Sequence, residues 1–433
     1  MRADLTDAPS GPGGTVQPMT AGRAPTAPGP VGKKYLWGLA LGQFGLYTAL
    51  MSPVYVSMQL KAQEISSDAA GVIGAVMPVG ALGALVANPI AGALSDRTRS
   101  RWGRRRPWMV GGVLLFLVAL AWIGFAPDQL HMTLGWLLAQ IAANATLATL
   151  TASFADNVPE LQRGRASSTI ALAQNVAVLA GTYLSVYLVA NLPVLFILPG
   201  ILAVVLIGVY CATARDEVPS ETLPRLQFID FVRTFWTNPL QHRDFGLAWW
   251  SRFLMILATF MFTTYRLLYM QDHLGMNTAD ATAAVAFGVL LYTIALMAAA
   301  ALSGWLSDRL QRRKIFVGGS TLLFGVGLVV LARADDVSHF YLAEVVMGLA
   351  YGVYSAIDTA LVVDVLPDPS NPGKDLGVFN MANALPQSLA PAIGVALLGI
   401  GSAANQNYEL LCWGAGIVAA IGALVVIPIK KVR

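Results

Sequence analysis

Four charged residues stand inside stretches otherwise too apolar to hold them. Arg252 and Arg266 share one stretch, Glu344 and Asp358 another, and each pair is fourteen residues apart. In a hydrocarbon setting each charge costs about 2.5–3.5 kcal/mol on insertion scales, so it needs a partner or a function. Fourteen residues make nearly four helical turns, placing each pair on one face about 21 Å apart along the axis. If the two helices run in opposite directions, Arg252 meets Asp358 toward one side and Arg266 meets Glu344 toward the other. The spacing therefore predicts two charge rungs bordering a central cavity. Arg266 and Glu344 fit equally well as side chains snorkelling to the outer surface.

Uncharged polar groups recur at helical spacing. Tyr351 and Tyr354 precede Asp358 by seven and four residues on the same stripe. A tyrosine offers a flat apolar face and a hydroxyl, the combination that stacks on a sugar ring and bonds its edge, although aromatics at this spacing also simply pack. Gln43 and Tyr47 are four apart, as are Gln140 and Asn144, so each pair shares a face. Their amides donate and accept together, which suits a hydroxyl-rich ligand, and they serve as well for bonds between membrane helices. Gln174 and Gln387 read as interhelical bonds of the latter kind.

The elements that must position these groups are membrane helices. Of 433 residues, 56% are hydrophobic and 12% charged, against about a quarter charged in a soluble domain. Twelve apolar stretches are long enough to span, near 35–60, 71–95, 107–126, 132–156, 166–190, 193–212, 245–270, 281–305, 315–333, 339–364, 377–401 and 409–428. They are continuously apolar, without the alternation of barrel strands. With both ends inside, the cytoplasmic segments hold all but four of the 28 Lys and Arg residues; the exceptions are Lys61, Arg252, Arg266 and Arg333. That asymmetry sets the orientation, and it accounts for the basic character without a nucleic-acid partner. Cys211 and Cys412 fall near opposite faces, which argues against a disulfide.

The densest basic run, Asp96 to Arg106, packs six arginines into eleven residues between two spans. A companion, GWLSDRLQRRK from Gly304 to Lys314, follows at a shift of 212, with Asp96 answered by Asp308 and Arg97 by Arg309. Asp156 and Pro159 match Asp364 and Pro367 at 208, and Gln174, Ala177 and Gly181 match Gln387, Ala390 and Gly394 at 213. Three matches with a consistent set of small insertions indicate duplicated six-helix halves with a site at their interface. The expected organisation is a disordered cytoplasmic tail over 1–34, a bundle over 35–212, a cytoplasmic linker over 213–243, a second bundle over 244–428 and a short tail over 429–433.

SDRTRSRWGRRRP in the first basic loop, D-x-x-P followed by RGRAS, SRFLM opening the seventh span, and DVLPD followed by GKDLG resemble the major facilitator superfamily. Within it they are similar to the glycoside–pentoside–hexuronide and sucrose-carrier branch. The resemblance implies a carrier working by alternating access, with a sugar or glycoside as solute and a proton or sodium as coupling ion. The chain departs from the branch's symporters: its spans 1, 2 and 4 hold no acid before Asp156, and Gln140 falls where plant sucrose symporters resemble one another in an aspartate. Uniport, or coupling carried elsewhere, stays open. The resemblance also implies that the basic loops are cytoplasmic gates. Asp96 would sit against the N-terminal end of span 11, favoured there by the helix dipole, and Arg97, Arg104, Arg105 and Arg106 would reach nearby acids, Asp156 among them, in the state closed inside.

The four histidines fall at loops or interfaces, and neither a nucleophile elbow nor a phosphate loop stands out, so an enzyme and an ATP-driven pump are not expected. No cofactor or metal is called for. The expected partners are a small-molecule solute and the lipid bilayer, the expected state a monomer, the expected location a bacterial plasma membrane. An efflux carrier for amphiphilic compounds is the alternative, a non-transporting membrane sensor the remote one.

Overall fold

The computed structural model describes residues 30–216, 241–310, 312–367, 372–402 and 404–430. The tail over 1–29, the core of the linker and the side chain of Asp308 lie outside the described residues.

Among the described residues, twelve helices are long and apolar enough to cross a membrane. In the first half they are α1 (Lys33–Ile65), α2 (Ala69–Arg97), α3 (Arg106–Gly124), α4 (Gln129–Asn157), α5 (Glu160–Leu188) and α6 (Leu192–Thr213). In the second they are α7 (Arg243–Thr263), α8 (Thr278–Leu310), α9 (Arg313–Ala332), α10 (Val337–Val365), α11 (Pro372–Gly399) and α12 (Tyr408–Val426). Side chains close the exposed helix starts: Asp68, Asp128, Asn191, Asp336 and Asn407 each accept a backbone N–H from the first turn.

Packing repeats between the halves. α1 packs on α5 and α6, α2 on α4, and α3 on α4 and α6; with six added to each label, the same pairs hold in the second half. Between the halves α2 meets α11 and α5 meets α8, a reciprocal exchange expected of a pseudo-twofold. The close α8–α10 approach depends on Gly348 and Gly352, where a Cβ would run into the backbone carbonyls of Tyr292 and Leu296. Outward faces stay apolar, as in Leu114, Leu115 and Val118 of α3 and Ile417, Ile421 and Leu424 of α12, because lipid rather than water covers them.

Two helices are irregular near their outer ends. Pro53 cannot donate within α1, and the helix widens into a π turn over Pro53–Ser57. α7 stops at Thr263, resumes over Arg266–Leu268 and closes in a second π turn, Tyr269–His273. The sequence reading ran α7 unbroken to 270; the break places Arg266 on its own short turn.

Candidate transport site

Both charge pairs form. Arg252 Nε donates to Asp358 Oδ2 at 2.7 Å, and its Nη2 reaches the same oxygen. The guanidinium lies 4.2 Å over the ring of Phe379 on α11. Arg266 Nε stands 3.0 Å from Glu344 Oε1, with the side chains 4% and 0% exposed. That burial removes the snorkelling alternative, since a side chain reaching the outer surface would be wetted.

A cavity of about 700 Å³ lies between the halves. Six amides line it: Asn88 on α2, Gln140 and Asn144 on α4, and Asn380, Asn383 and Gln387 on α11. Tyr47 of α1 joins them, and apolar side chains such as Leu85, Met381 and Phe260 complete the wall. Among the described residues, no charged side chain lines it. The amides of each half are linked before any ligand arrives. Asn144 donates to Gln140 Oε1 at 3.1 Å and Asn88 to Asn144 at 3.5 Å, while Asn383 donates to Asn380 at 3.3 Å. Each chain keeps unused donors and acceptors, so a hydroxyl-bearing ligand can be held from both halves at once.

Of the expected cavity residues, Tyr47, Gln140 and Asn144 line this space and the others do not. Gln43 is 2% exposed and accepts from Gln174 at 3.1 Å. Arg252, Asp358, Tyr351 and Tyr354 are not among the lining residues; Phe379 of α11 covers the Arg252 guanidinium, while Asn380 and Asn383 line the cavity. Tyr351 packs against Tyr292 and Tyr354, with ring centroids 6.3 and 6.0 Å away. Sequence reading missed Asn88, Asn380 and Asn383, and it placed Gln387 between helices. The i, i+3, i+7 run of Asn380, Asn383 and Gln387 was the available signal, a polar stripe in an apolar span.

At the inner surface the basic hairpin folds on its own half. Arg105 pairs with Asp96 at 2.5 Å and with Asp156 at 3.1 Å, and Arg104 pairs with Asp156 at 2.8 Å. Arg105 also donates to Ser95 Oγ at 2.6 Å. Arg106 donates to the Ala214 carbonyl at 2.7 Å, and Arg97 to that of Ala93 at 2.8 Å. Asp216, unremarked in the sequence, accepts the backbone N–H groups of Arg104, Arg105 and Arg106 at 3.1, 2.8 and 2.7 Å. Gly103, at φ +104°, makes the turn beneath it, and a Cβ there would strike Asp216. Asp96 makes its ion pair inside the hairpin, with Arg105. The second half repeats part of the network: Arg313 pairs with Asp364 at 2.6 Å. Arg309 closes α8 on the same surface.

At the outer end the halves are tied across their interface. Gln59 donates to the Thr264 carbonyl at 2.8 Å, Gln63 to Gln271 at 2.5 Å, and Asn405 to both oxygens of Asp68 at 3.0 Å.

The family model described as Major Facilitator Superfamily matches residues 38–295 and 282–433. The chain belongs to that superfamily. It is a multi-pass membrane transporter and not an enzyme. An uncharacterized symporter of Synechocystis is 34% identical over 106 residues, 23% of this chain and 20% of that protein. A sucrose transport protein of Oryza sativa subsp. japonica is 43% identical over 49 residues, 11% of this chain and 9% of that one. The chain thus spans a fifth or less of these relatives. A crystal structure of the nucleoside transporter NupG superposes with a TM-score of 0.71 at 12% identity, covering 92% of this chain and 99% of that one. At that identity the likeness speaks for the fold.

Proposed function

We propose that this carrier moves a neutral, hydroxyl-rich solute, a sugar or glycoside, across a cell membrane by alternating access. One observation carries the reading: among the described residues, a cavity at the interface of the halves is lined by six amides and a tyrosine and by no charged side chain. An ionic solute entering such a site would shed hydration without a counter-charge. A polyol exchanges its water bonds for amide bonds one for one. The sucrose transport protein among the relatives supports the same class. The apolar wall suits one face of a sugar ring or an aglycone, and it is also the feature that keeps an amphiphilic solute as the second reading.

In this reading the two bundles rock as units on the linker over 213–243. The outer contacts hold the outer end shut while the cavity serves the inner side. The arginine hairpin, with Asp96, Asp156 and Asp216, braces the inner end of the first bundle, and Arg313 with Asp364 braces the second. Arg252–Asp358 fastens α7 to α10 behind the cavity and does not touch the solute.

Thermal unfolding of the purified chain, with sucrose, melibiose, maltose, methyl glycosides, uridine and amphiphilic cations added in turn, tests the reading. Stabilisation by one or more sugars, lost in Gln140→Ala, supports it. Stabilisation by the cations alone overturns it in favour of the amphiphile. Sugar binding without counterflow in proteoliposomes would make the chain a sensor.

A further inference from the structure

Among the described residues, Glu344 is the carboxylate in the spans that the packing leaves badly served. Its side chain is fully buried, and neither oxygen has an aligned hydrogen bond among the described residues. Arg266 Nε is 3.0 Å away but points off the line of a bond. By contrast, Arg252 and Asp358 are directly hydrogen-bonded. An ionised carboxylate in so dry a site needs good geometry from its partner to offset desolvation, and this one lacks it.

The guanidinium of Arg266 has alternative hosts. Its Cζ lies 5.4 Å from the ring centre of Tyr55 and 5.6 Å from that of Phe262. Aromatic faces hold a desolvated cation without needing a carboxylate. Phe262 belongs to the same half as Arg266, and Tyr55 to the other. Both Arg266 and Tyr55 sit on the irregular turns of α7 and α1, where a helix shifts more readily than in a regular stretch. The titratable groups facing Glu344 are Arg266 from the α7 extension, Tyr55 from α1 and Tyr292 from α8. Phe340 packs with Glu344 against Gly288 of α8. Among the described residues, no second carboxylate enters this group.

We propose that Glu344 is a proton-binding site, and that its protonation hands Arg266 from the carboxylate of its own half to the ring of Tyr55 in the other, closing the outer end. With Glu344 ionised, Arg266 turns to make an aligned pair inside the second half, and the cation–π contact across the interface is lost. With Glu344 neutral, Arg266 stays on Tyr55 and adds to the outer ties of Gln59, Gln63 and Asp68. The proton then biases a two-state element, which is what coupling requires. The inference rests on the alternating-access reading but not on the identity of the solute.

The test uses the full chain in lipid and the proton as the only ligand. Infrared difference spectra between alkaline and acid pH should show a protonated-carboxyl C=O band that Glu344→Gln abolishes and Asp358→Asn keeps. Spin labels at Ser67→Cys and Gln406→Cys, with Cys211 and Cys412 replaced by alanine, report the outer distance. The distance should shorten on acidification in the parent chain and stay short at every pH in Glu344→Gln. In Tyr55→Leu the infrared band should remain while the distance change is lost. Should Glu344→Gln fail to fold, Glu344→Asp substitutes for it, with the band retained but shifted. A band unchanged in the Gln variant, or an outer distance independent of pH in the parent, overturns the proposal. Neither readout involves a sugar, so failure here leaves the solute class standing, and a failed sugar panel leaves this site standing.

Discussion

Gln174 and Gln387 hold equivalent places in the sequence repeat and opposite places in the structure. Gln174 donates to buried Gln43 at 3.1 Å, while Gln387 is exposed on the wall of the central cavity. Duplication supplied one residue twice; the halves then used it once to lock α5 to α1 and once to face the solute space.

Their substitutions should therefore part company. Gln387→Ala removes hydrogen bonds to a ligand and is expected to weaken solute binding by about tenfold, the weight of one bond near 1–1.5 kcal/mol, with little change in melting temperature. Gln174→Ala strands the amide of Gln43 in a dry interface and is expected to lower the melting temperature while leaving affinity within about twofold. Binding titrations and thermal unfolding on the same two preparations check both. A matching fall in affinity for the two variants would place Gln174 in the site as well.

Arg252 and Asp358 make a buried pair whose halves depend on each other. Removing either partner leaves an uncompensated charge, at a cost of about 3–5 kcal/mol. The double variant Arg252→Met with Asp358→Leu discards both charges and should recover much of that loss. Chemical or thermal unfolding across the double-mutant cycle measures the coupling. Solute affinity of the folded double variant should stay near that of the parent, because neither residue is among those lining the cavity.

Much of this was legible beforehand, and the rest had definite physical reasons for staying hidden. Continuous apolar runs and the placing of Lys and Arg revealed twelve spans and their direction, since the bilayer leaves a chain few other choices. The fourteen-residue spacing of Arg252 with Arg266, and of Glu344 with Asp358, revealed who pairs with whom, because helix geometry alone fixes it. Whether a pair meets the cavity is a tertiary fact that spacing within one helix does not carry. Asn88 escaped notice as a lone amide beside Pro89, and Asp216 because its partners are backbone N–H groups with no sequence signature.

The acid end of the stability profile has a local contributor at the outer surface. The Ser338 hydroxyl and the backbone N–H groups of Ser338 and His339 donate to Asp336 and hold its carboxyl down at about 2. A carboxylate with a depressed folded pKa stabilises above its unfolded value, and the contribution is lost as pH falls toward 2. Asp336→Asn should lower the melting temperature near neutrality and converge on the parent as pH falls toward 2, flattening the acid part of the curve. Unfolding scans of both proteins between pH 5 and about 2, a window set by these two limits, would show the difference. Parallel curves would mean that the cap of α10 is not what titrates.

Asp216 supports the arginine hairpin by its main chain. Three successive N–H groups at the start of α3 converge on its carboxylate, the arrangement in which a helix N-terminus holds an anion. Arg99 and Arg101 are exposed on the same hairpin, so trypsin reports directly on its order. Asp216→Ala should raise the cleavage rate after these arginines several-fold in inside-out vesicles, with Asp216→Asn intermediate because its amide oxygen still accepts. Gly103→Ala should act in the same direction, since it combines an unfavourable φ of +104° with a clash against Asp216. Cleavage at the parental rate in Asp216→Ala would mean that Asp156 and Asp96, through Arg104 and Arg105, suffice to keep the hairpin closed without this anchor.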